Sequence, residues 1–335
     1  MTYHLYAIGN ALVDTEYEVT DAILQAAGVE KRHMTLIDAP RRTELLGYVQ
    51  HAKSHRTGGG SAGNTVVALA QLGGKAFYSC RVADDELGDF YTKDLHSHGV
   101  ATNLTHTKPP TGQTGSCMVM VTPDAERSMS TFLGATADLD EAALHPHDIV
   151  KSRVYYMEGY LAASPTGLAA AIQGRKIAKQ AGVALATTLS DMSMINFCRS
   201  GLDAMVGNDL DYLFCNEEEA QVWCGSNDIV QICQQLSQQS RTVCLTRSAK
   251  GSIVLEADNV IEVPATKVKA LDTNGAGDMF AGAFLYAVTH GYDCAQAAWL
   301  ANQCAGRVVA QYGNRLTTNN MADIKITFVN HAGQS

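Results

Sequence analysis

Proline is scarce in this 335-residue chain, with seven residues, and it never joins glycine and serine in a linker long enough to separate independent domains. One continuous unit over residues 1–335 is therefore expected. No run of about 18 apolar residues occurs, so no helix is expected to span a bilayer. The start Met1-Thr-Tyr-His-Leu-Tyr-Ala-Ile-Gly9 lacks the basic flank and apolar core of a secretory signal. The nine cysteines are scattered from Cys80 to Cys304 without a C-x-x-C pair, and the eleven histidines are equally dispersed. That pattern argues against a disulfide framework or a cysteine metal knot, and it suits a reducing, cytoplasmic setting. Positive charge is the minor sign: 25 Lys and Arg against 34 Asp and Glu leave −9, with no basic run. A general nucleic-acid or anionic-membrane binder is disfavoured, although a local basic pocket for phosphate is compatible with the balance. Internal repeats and low-complexity tracts are also missing.

What is present is globular: 46% hydrophobic and 18% charged residues. Short apolar runs alternate with helical patterns. Leu5-Tyr-Ala-Ile-Gly reads as a strand, Ala62 to Leu72 as a helix, and Ala76 to Val82 as a strand. The rhythm resumes with a strand at Val154, a helix from Pro165 to Ala181 and strands at Val183 and Tyr212. A helix from Glu217 to Cys224, a strand from Thr242, and two helices, Gly277 to Gly291 and Cys294 to Gln311, complete it. This is the βαβ order of a mostly parallel central sheet covered on both faces, a Rossmann-like three-layer α/β sandwich. Asn10 to Val19 and Gly115 to Phe132 instead alternate apolar and polar residues, with turns expected at Pro109-Pro110 and Pro123-Asp124. They predict a small β-sheet standing off the main one, a lid formed by insertions at about 10–57 and 107–136.

Gly58-Gly-Gly-Ser-Ala-Gly63-Asn64-Thr65 fits G-x-G-x-x-G and misses the P-loop pattern by one residue. A dinucleotide fingerprint needs a buried strand before its first glycine, but His51-Ala-Lys-Ser-His-Arg-Thr is polar and basic. Asp84 and Asp85 after the next strand keep that reading open. The P-loop reading loses its lysine, because Asn64 supplies no positive charge to phosphates. Glycines let the backbone approach a ligand, and Asn64 can both donate and accept, which suits sugar hydroxyls. The plain alternative is a flexible turn with Asn64 and Thr65 in a first helical turn.

The second cluster, Asp272-Thr-Asn-Gly275-Ala-Gly277-Asp278-Met-Phe-Ala-Gly282, runs straight into an apolar helix. The N–H groups of Gly275, Ala276, Gly277 and Asp278 are free to converge there on an anion. A carboxylate beside bound phosphate is unfavourable unless it has work to do, and assisting the proton of an attacking alcohol is such work. Asp278 is the candidate base. The alternative is an ordinary helix start with a first-turn charge.

The two clusters, their order and their separation resemble the ribokinase-like (PfkB) carbohydrate kinases, with a Gly-Gly-x-x-x-Asn stretch and an Asp-Thr-x-Gly-Ala-Gly-Asp signature. The resemblance extends from Ile8-Gly-Asn to about Gly313-Asn-Arg. Gly9-Asn-Ala-Leu-Val-Asp14, Glu126-Arg-Ser-Met-Ser-Thr-Phe-Leu-Gly-Ala and Glu158-Gly-Tyr-Leu look like the adenosine-kinase branch. The resemblance implies that Asp14 takes two sugar hydroxyls, with Asn10, Gly59, Gly60 and Asn64 completing the set. It implies that Arg127 closes over the transferring phosphate. Asn216-Glu-Glu-Glu219 matches the family's Asn-x-x-Glu, which supports Mg²⁺ through its waters, and the same residues spell a capping box. Thr246, Arg247, Lys250, Gly251, Asn274 and Asn302 fall where the family holds ATP. A K⁺-type monovalent site in many members corresponds to Asp272, Asn274, Val308, Gln311 and Gly313. Tyr160 and Met129 could pack on a nucleobase, or pack only between lid and sheet.

The resemblance implies an ATP- and Mg²⁺-dependent kinase acting on a primary hydroxyl of a ribonucleoside, adenosine to AMP, as in purine salvage. The alternatives are a kinase of ribose, fructose or a ketodeoxy sugar acid, an NAD-dependent oxidoreductase built on Gly58 to Gly63, and a non-catalytic nucleoside or sugar sensor. A small-molecule partner is expected, with the chain a monomer or a homodimer.

Overall fold

The computed structural model describes residues 2–105, 111–124, 126–257 and 259–332. The turn expected at Pro109-Pro110 lies outside them. In chain order the strands are Tyr3–Ile8 (β1), Leu12–Glu18 (β2), Met34–Leu36 (β3), Ser54–Gly59 (β4), Ala76–Ser79 (β5), Ala101–Thr102 (β6) and Ser116–Val121 (β7). They continue with Arg127–Phe132 (β8), Ser152–Met157 (β9), Ala184–Thr188 (β10), Leu210–Asn216 (β11), Ser240–Thr246 (β12), Ser252–Glu256 (β13) and Asn259–Val263 (β14).

A nine-stranded sheet runs β14-β13-β12-β11-β10-β9-β1-β5-β6, and a five-stranded sheet runs β3-β8-β7-β2-β4. The large sheet is parallel from β6 through β12; β13 runs against it, pairing antiparallel with both β12 and β14, and β14 returns to the common direction. Alternate residues of its strands feed two cores. Leu5, Ala7, Val154 and Tyr156 face a layer containing helices Ser61–Gln71, Ala276–Thr289 and Cys294–Val309. Tyr6, Ile8, Tyr155 and Met157 face the opposite layer, which includes helices Pro165–Gln180 and Arg199–Val206. With both faces covered, the strands read as the near-continuous apolar runs of a parallel sheet. This is an α/β three-layer sandwich with a second, smaller sheet.

Local chemistry sets the helix starts. Ser164 caps Gly167 N–H and Pro165 occupies the first turn, while Asp293 and Gln296 form a reciprocal capping box. In the small sheet Met118 and Met120 point to a separate apolar cluster with Leu24, Leu45 and Val49 from the helices Asp21–Ala26 and Ala39–Val49. In-register pairing puts Asp14, Cys117 and Thr131 on the other face, together with Glu16, Val119 and Met129.

β1 sits where the strand order reverses, with β5 on one side and β9 on the other. In open α/β sheets the crevice at the carboxyl end of such a strand is where ligands bind. Gly9 and Asn10 follow β1 at that point.

Candidate active site

Two glycine-led helices meet beside this crevice. Gly282 has no room for a side chain, because a Cβ there would lie 2.5 Å from the Thr65 carbonyl and 2.6 Å from Ala68 Cβ. The helices Ser61–Gln71 and Ala276–Thr289 therefore pack in close contact, and their first turns face each other. Ser61 Oγ donates to Asp278 Oδ1 at 2.6 Å, and Asn64 Nδ2 donates to Asp278 Oδ2 at 3.1 Å. Burial lifts the Asp278 carboxyl to about 6, while these two hydrogen bonds pull it down.

The turn before the first helix is tight. Gly60 has φ +83°, and a Cβ there would come 2.1 Å from the Asn10 carbonyl oxygen. A Cβ at Gly59 would likewise come 2.4 Å from both oxygens of the Asp14 carboxylate. Asp14 Oδ2 accepts from Asn314 Nδ2 at 3.1 Å. Burial raises Asp14 to about 7; Arg315 and Arg127 oppose the rise, and Glu16 and Asp278 add to it. Asn10 donates its backbone N–H to Glu158 Oε1 at 2.7 Å, and its side-chain oxygen accepts from Thr136 Oγ1 at 3.3 Å. Glu158 is fully buried and spends its second oxygen on Ala62 N–H at 2.8 Å, so one carboxyl ties the end of β1 to the helix start. Burial lifts it to about 7.

The helix Ala276–Thr289 opens at Gly275, φ +74°, with no side-chain cap. Ala276 N–H turns back to the Thr273 carbonyl at 3.3 Å, so it does not join the convergent donors expected from the sequence. Gly277 and Asp278 remain first-turn donors without an intrahelical acceptor. A Cβ at Gly277 would meet nothing within 4 Å, so this end of the helix opens onto free space. Such an end suits an anion.

Arg127 reaches from β8 to Asp272 Oδ2, with Nη1 at 2.7 Å, and places Nη2 2.9 Å from Glu16 Oε1. Asp272 also accepts from Asn274 N–H at 3.1 Å and Gly313 N–H at 3.2 Å. Leu271 and Asp272 N–H groups both donate to the Val309 carbonyl. The loop 271–275, Val308, Gln311 and Gly313 thus come together at the end of helix Cys294–Val309. Oxygen donors at a helix C-terminus fit a hard monovalent cation.

Asn216 and Glu219 form a complete capping box at the end of β11, and Asn216 Nδ2 adds a 2.6 Å bond to Glu219 Oε1. Burial raises Glu219 to about 7. Among the described residues no group of three or more His, Cys, Asp or Glu could hold a metal. A divalent cation that keeps its waters and sits on phosphates, supported by one or two carboxylates, fits that sparse set.

Arg247 and Lys250 both converge on Glu217, at 3.3 and 3.0 Å, beyond the end of β12. Thr246 Oγ1 contacts the Cys215 carbonyl at 3.5 Å, and Gly251 closes the turn at φ +94°. Asn302 is buried and gives its amide to Ser252 Oγ and the Val263 and Pro264 carbonyls, at 3.0, 3.1 and 3.3 Å. Its side chain pins the β13–β14 region and is not turned outward. Asn274 is exposed. Tyr160 donates to Asp191 Oδ2 at 3.0 Å, and Met129 lies half-buried opposite Met34 and Val119.

The polar run before Gly58 does form a strand, but β4 is an exposed edge of the small sheet. That is not the buried strand a dinucleotide fingerprint needs. Asp85 is occupied as a helix cap, accepting from Gly88 N–H and from Thr114.

Sequence reasoning missed Ser61, Glu158, Asn314 and Arg315 as site residues. Ser61 hides as an ordinary helix-start residue. Glu158 carried a readable signal, a lone charge at the carboxyl end of a buried parallel strand. Asn314 and Arg315 sit in an irregular segment with no local pattern.

Residues 33–320 match the pfkB family carbohydrate kinases, and the chain belongs to that family. Its similarity falls on the adenosine-kinase-like branch. It is 33% identical to a structure of adenosine kinase from Sinorhizobium meliloti, TM-score 0.87, covering 98% of this chain and 100% of that one. It is also 33% identical to a probable sugar kinase protein from Rhizobium etli CFN 42, TM-score 0.88, covering 98% and 99%. A ribokinase from Mus musculus is 27% identical over 262 residues, 75% of this chain and 77% of that protein. The chain is a phosphotransferase with an alcohol group as acceptor, and such kinases use ATP with a divalent metal. Among the described residues no helix is long and apolar enough to cross a membrane.

Proposed function

We propose that the chain transfers the γ-phosphoryl group of ATP to the 5′-hydroxyl of adenosine, giving AMP, with Asp278 as the base. The observation that carries this reading is the Asp278 carboxylate, held by Ser61 and Asn64 beside an uncapped helix N-terminus and facing Asp14. Asp14, Asn10, Asn64 and the Gly59-Gly60 backbone bind the ribose hydroxyls and aim the primary hydroxyl at Asp278. Asp278 orients that hydroxyl and takes its proton as the new O–P bond forms. The N–H groups of Gly277 and Asp278, with Arg127 once it leaves Asp272, stabilise charge on the transferring group.

Met129 and Tyr160 pack on the base, and the small sheet acts as a lid that excludes water. Thr246, Arg247, Lys250, Gly251, Asn274 and Asn302 shape the ATP side. Mg²⁺ neutralises phosphate charge when bound, and Asn216 and Glu219 would hold it through its waters. K⁺ is assigned to the oxygens around Asp272, Asn274, Val308, Gln311 and Gly313.

A second reading, a kinase of free sugars, is favoured by the ribokinase relative and by a deoxyribokinase from Salmonella typhi, 26% identical over 240 residues. ADP release from Mg-ATP over a panel of adenosine, other nucleosides, ribose, fructose and ketodeoxy sugar acids separates the two. Adenosine-dependent release lost in Asp278→Asn supports the first reading. Release with sugars alone replaces the substrate, and failure of every acceptor to give ADP release points to a non-catalytic sensor.

A further inference from the structure

Asn314 and Arg315 lie outside both glycine clusters, yet each touches a residue of the hydroxyl-binding set. The Arg315 side chain is 10% exposed. Its Nη1 is paired with Asp94, on the helix Glu86–Ser97, and its Nε donates to Asn64 Oδ1 at 3.4 Å. Its Nη2 is buried without a partner. The guanidinium lies against the glycine turn, since a Cβ at Gly58 would come 2.7 Å from Nη2 and 2.3 Å from Asp94 Oδ2. The backbone is fixed as well: Gln311 Nε2 donates to the Arg315 carbonyl at 2.6 Å, and Gln71 Nε2 donates to the Leu316 carbonyl at 2.9 Å.

An asparagine amide has one face that donates and one that accepts, and only the NH₂ face can satisfy a carboxylate. A guanidinium has donors only, so its contact with Oδ1 leaves the Asn64 NH₂ turned to Asp278. We infer that Arg315 is a positioning residue, which sets the Asn64 amide against Asp278 and supplies the facing positive charge for Asp14. The groups around this cation are Asp94 and Tyr91 on one side, with His98 Nδ1 3.8 Å from Asp94 Oδ1 behind them. Asp14 is also faced by Glu16 and Arg127 from the small sheet and by Asp278 from the helix start. The inference rests on Asp278 being the base.

The test is a cycle of Arg315→Met, Asn64→Ala and the double variant, with Arg315→Lys and Asp278→Asn alongside. It is read as kcat/KM for the acceptor, as acceptor Kd by calorimetry, and against pH. Arg315→Met is expected to lose on the order of tenfold in kcat/KM, and the double variant little more than Asn64→Ala alone well above the acid limb. The acid limb should move up by about one unit without the cation beside Asp14. Arg315→Lys should restore the limb and not the rate, because lysine keeps the charge and loses the planar donor geometry. Additive losses, or a limb that stays in place in Arg315→Met, overturn the proposal; urea midpoints confirm that each variant folds. Turnover that survives Asp278→Asn overturns the base reading instead, independently of the cycle.

Discussion

Burial lifts Asp278 to about 6 and Asp14, Glu158 and Glu219 to about 7. A carboxyl whose pKa is higher in the folded chain than in the unfolded one binds its proton more tightly when folded. The stability it contributes is present at acid pH and is lost as pH rises through the folded value. The protein is therefore expected to weaken between about pH 4 and 7, the window in which a base at position 278 becomes ionised and usable. Stability and proton acceptance pull against each other at one side chain. Asp278→Asn should raise the urea-unfolding stability at pH 8 by about 1–3 kcal/mol, with the gain vanishing near pH 4. The same variant should lose about 10²- to 10⁴-fold in turnover. Unfolding curves at the two pH values check the first part, and an unchanged midpoint at pH 8 would contradict it. Asp278 was legible in the sequence because its chemistry is local, a carboxylate in a glycine-led first turn. Its partners Ser61 and Asn64 lie more than two hundred residues away, and only the crossing of two helices brings them near. No local pattern records that crossing.

At the scale of elements, two glycines of the helix Ala276–Thr289, one in its first turn and one in its middle, carry opposite constraints. Gly282→Ala places a methyl group against the Thr65 carbonyl and Ala68. It should cost about 1–3 kcal/mol through overpacking and should lower turnover by parting Asp278 from Asn64. Gly277→Ala meets nothing within 4 Å. It should leave the melting temperature unchanged or slightly higher while raising KM for ATP, because its methyl group occupies the space before the helix N-terminus. Thermal melts with steady-state kinetics on both variants check the pair, and a Gly277→Ala enzyme with unaltered ATP kinetics would remove the phosphate role from this turn. The elements themselves were legible wherever apolar runs were long. The strands at Leu5, Val154 and Tyr212 and the helices near Pro165, Glu217, Gly277 and Cys294 fall within a few residues of where periodicity puts them. Helix Glu86–Ser97, the β13–β14 hairpin and helix Thr318–Ala332 were not read from the sequence. The first and last do carry apolar residues at helical spacing, Leu87, Phe90, Tyr91 and Leu95 in one and Met321, Ile324 and Phe328 in the other, so their pattern was legible; β14 is mostly exposed, and tertiary packing rather than local pattern decides it.

Across the whole molecule, buried polar contacts tie the small sheet to the loops around the large one. Asn314 bonds Asp14 at 3.1 Å, and Arg127 bridges from β8 to Asp272 with side chains only 14% and 4% exposed. Tyr312 lies against the same guanidinium, 5.6 Å from ring centroid to Arg127 Cζ. An ion pair this dry is sensitive to the loss of either partner, since the survivor is left as an unpaired buried charge. Arg127 also belongs to the small sheet, whereas Asp272 belongs to the loop that leads into Asp278. The pair therefore couples the stance of one sheet to the order of the loop on the other. Arg127→Gln should release that coupling: amide exchange in β7, β8 and residues 271–275 should speed up, while β9, β10 and β11 keep their protection. Asp272→Asn should reproduce the pattern, and the double variant should add little to either single change, because both remove one contact. Hydrogen-exchange mass spectrometry resolves these segments. Equal protection in all of them would mean that the sheets are held together by packing around the glycine turns and not by this ion pair.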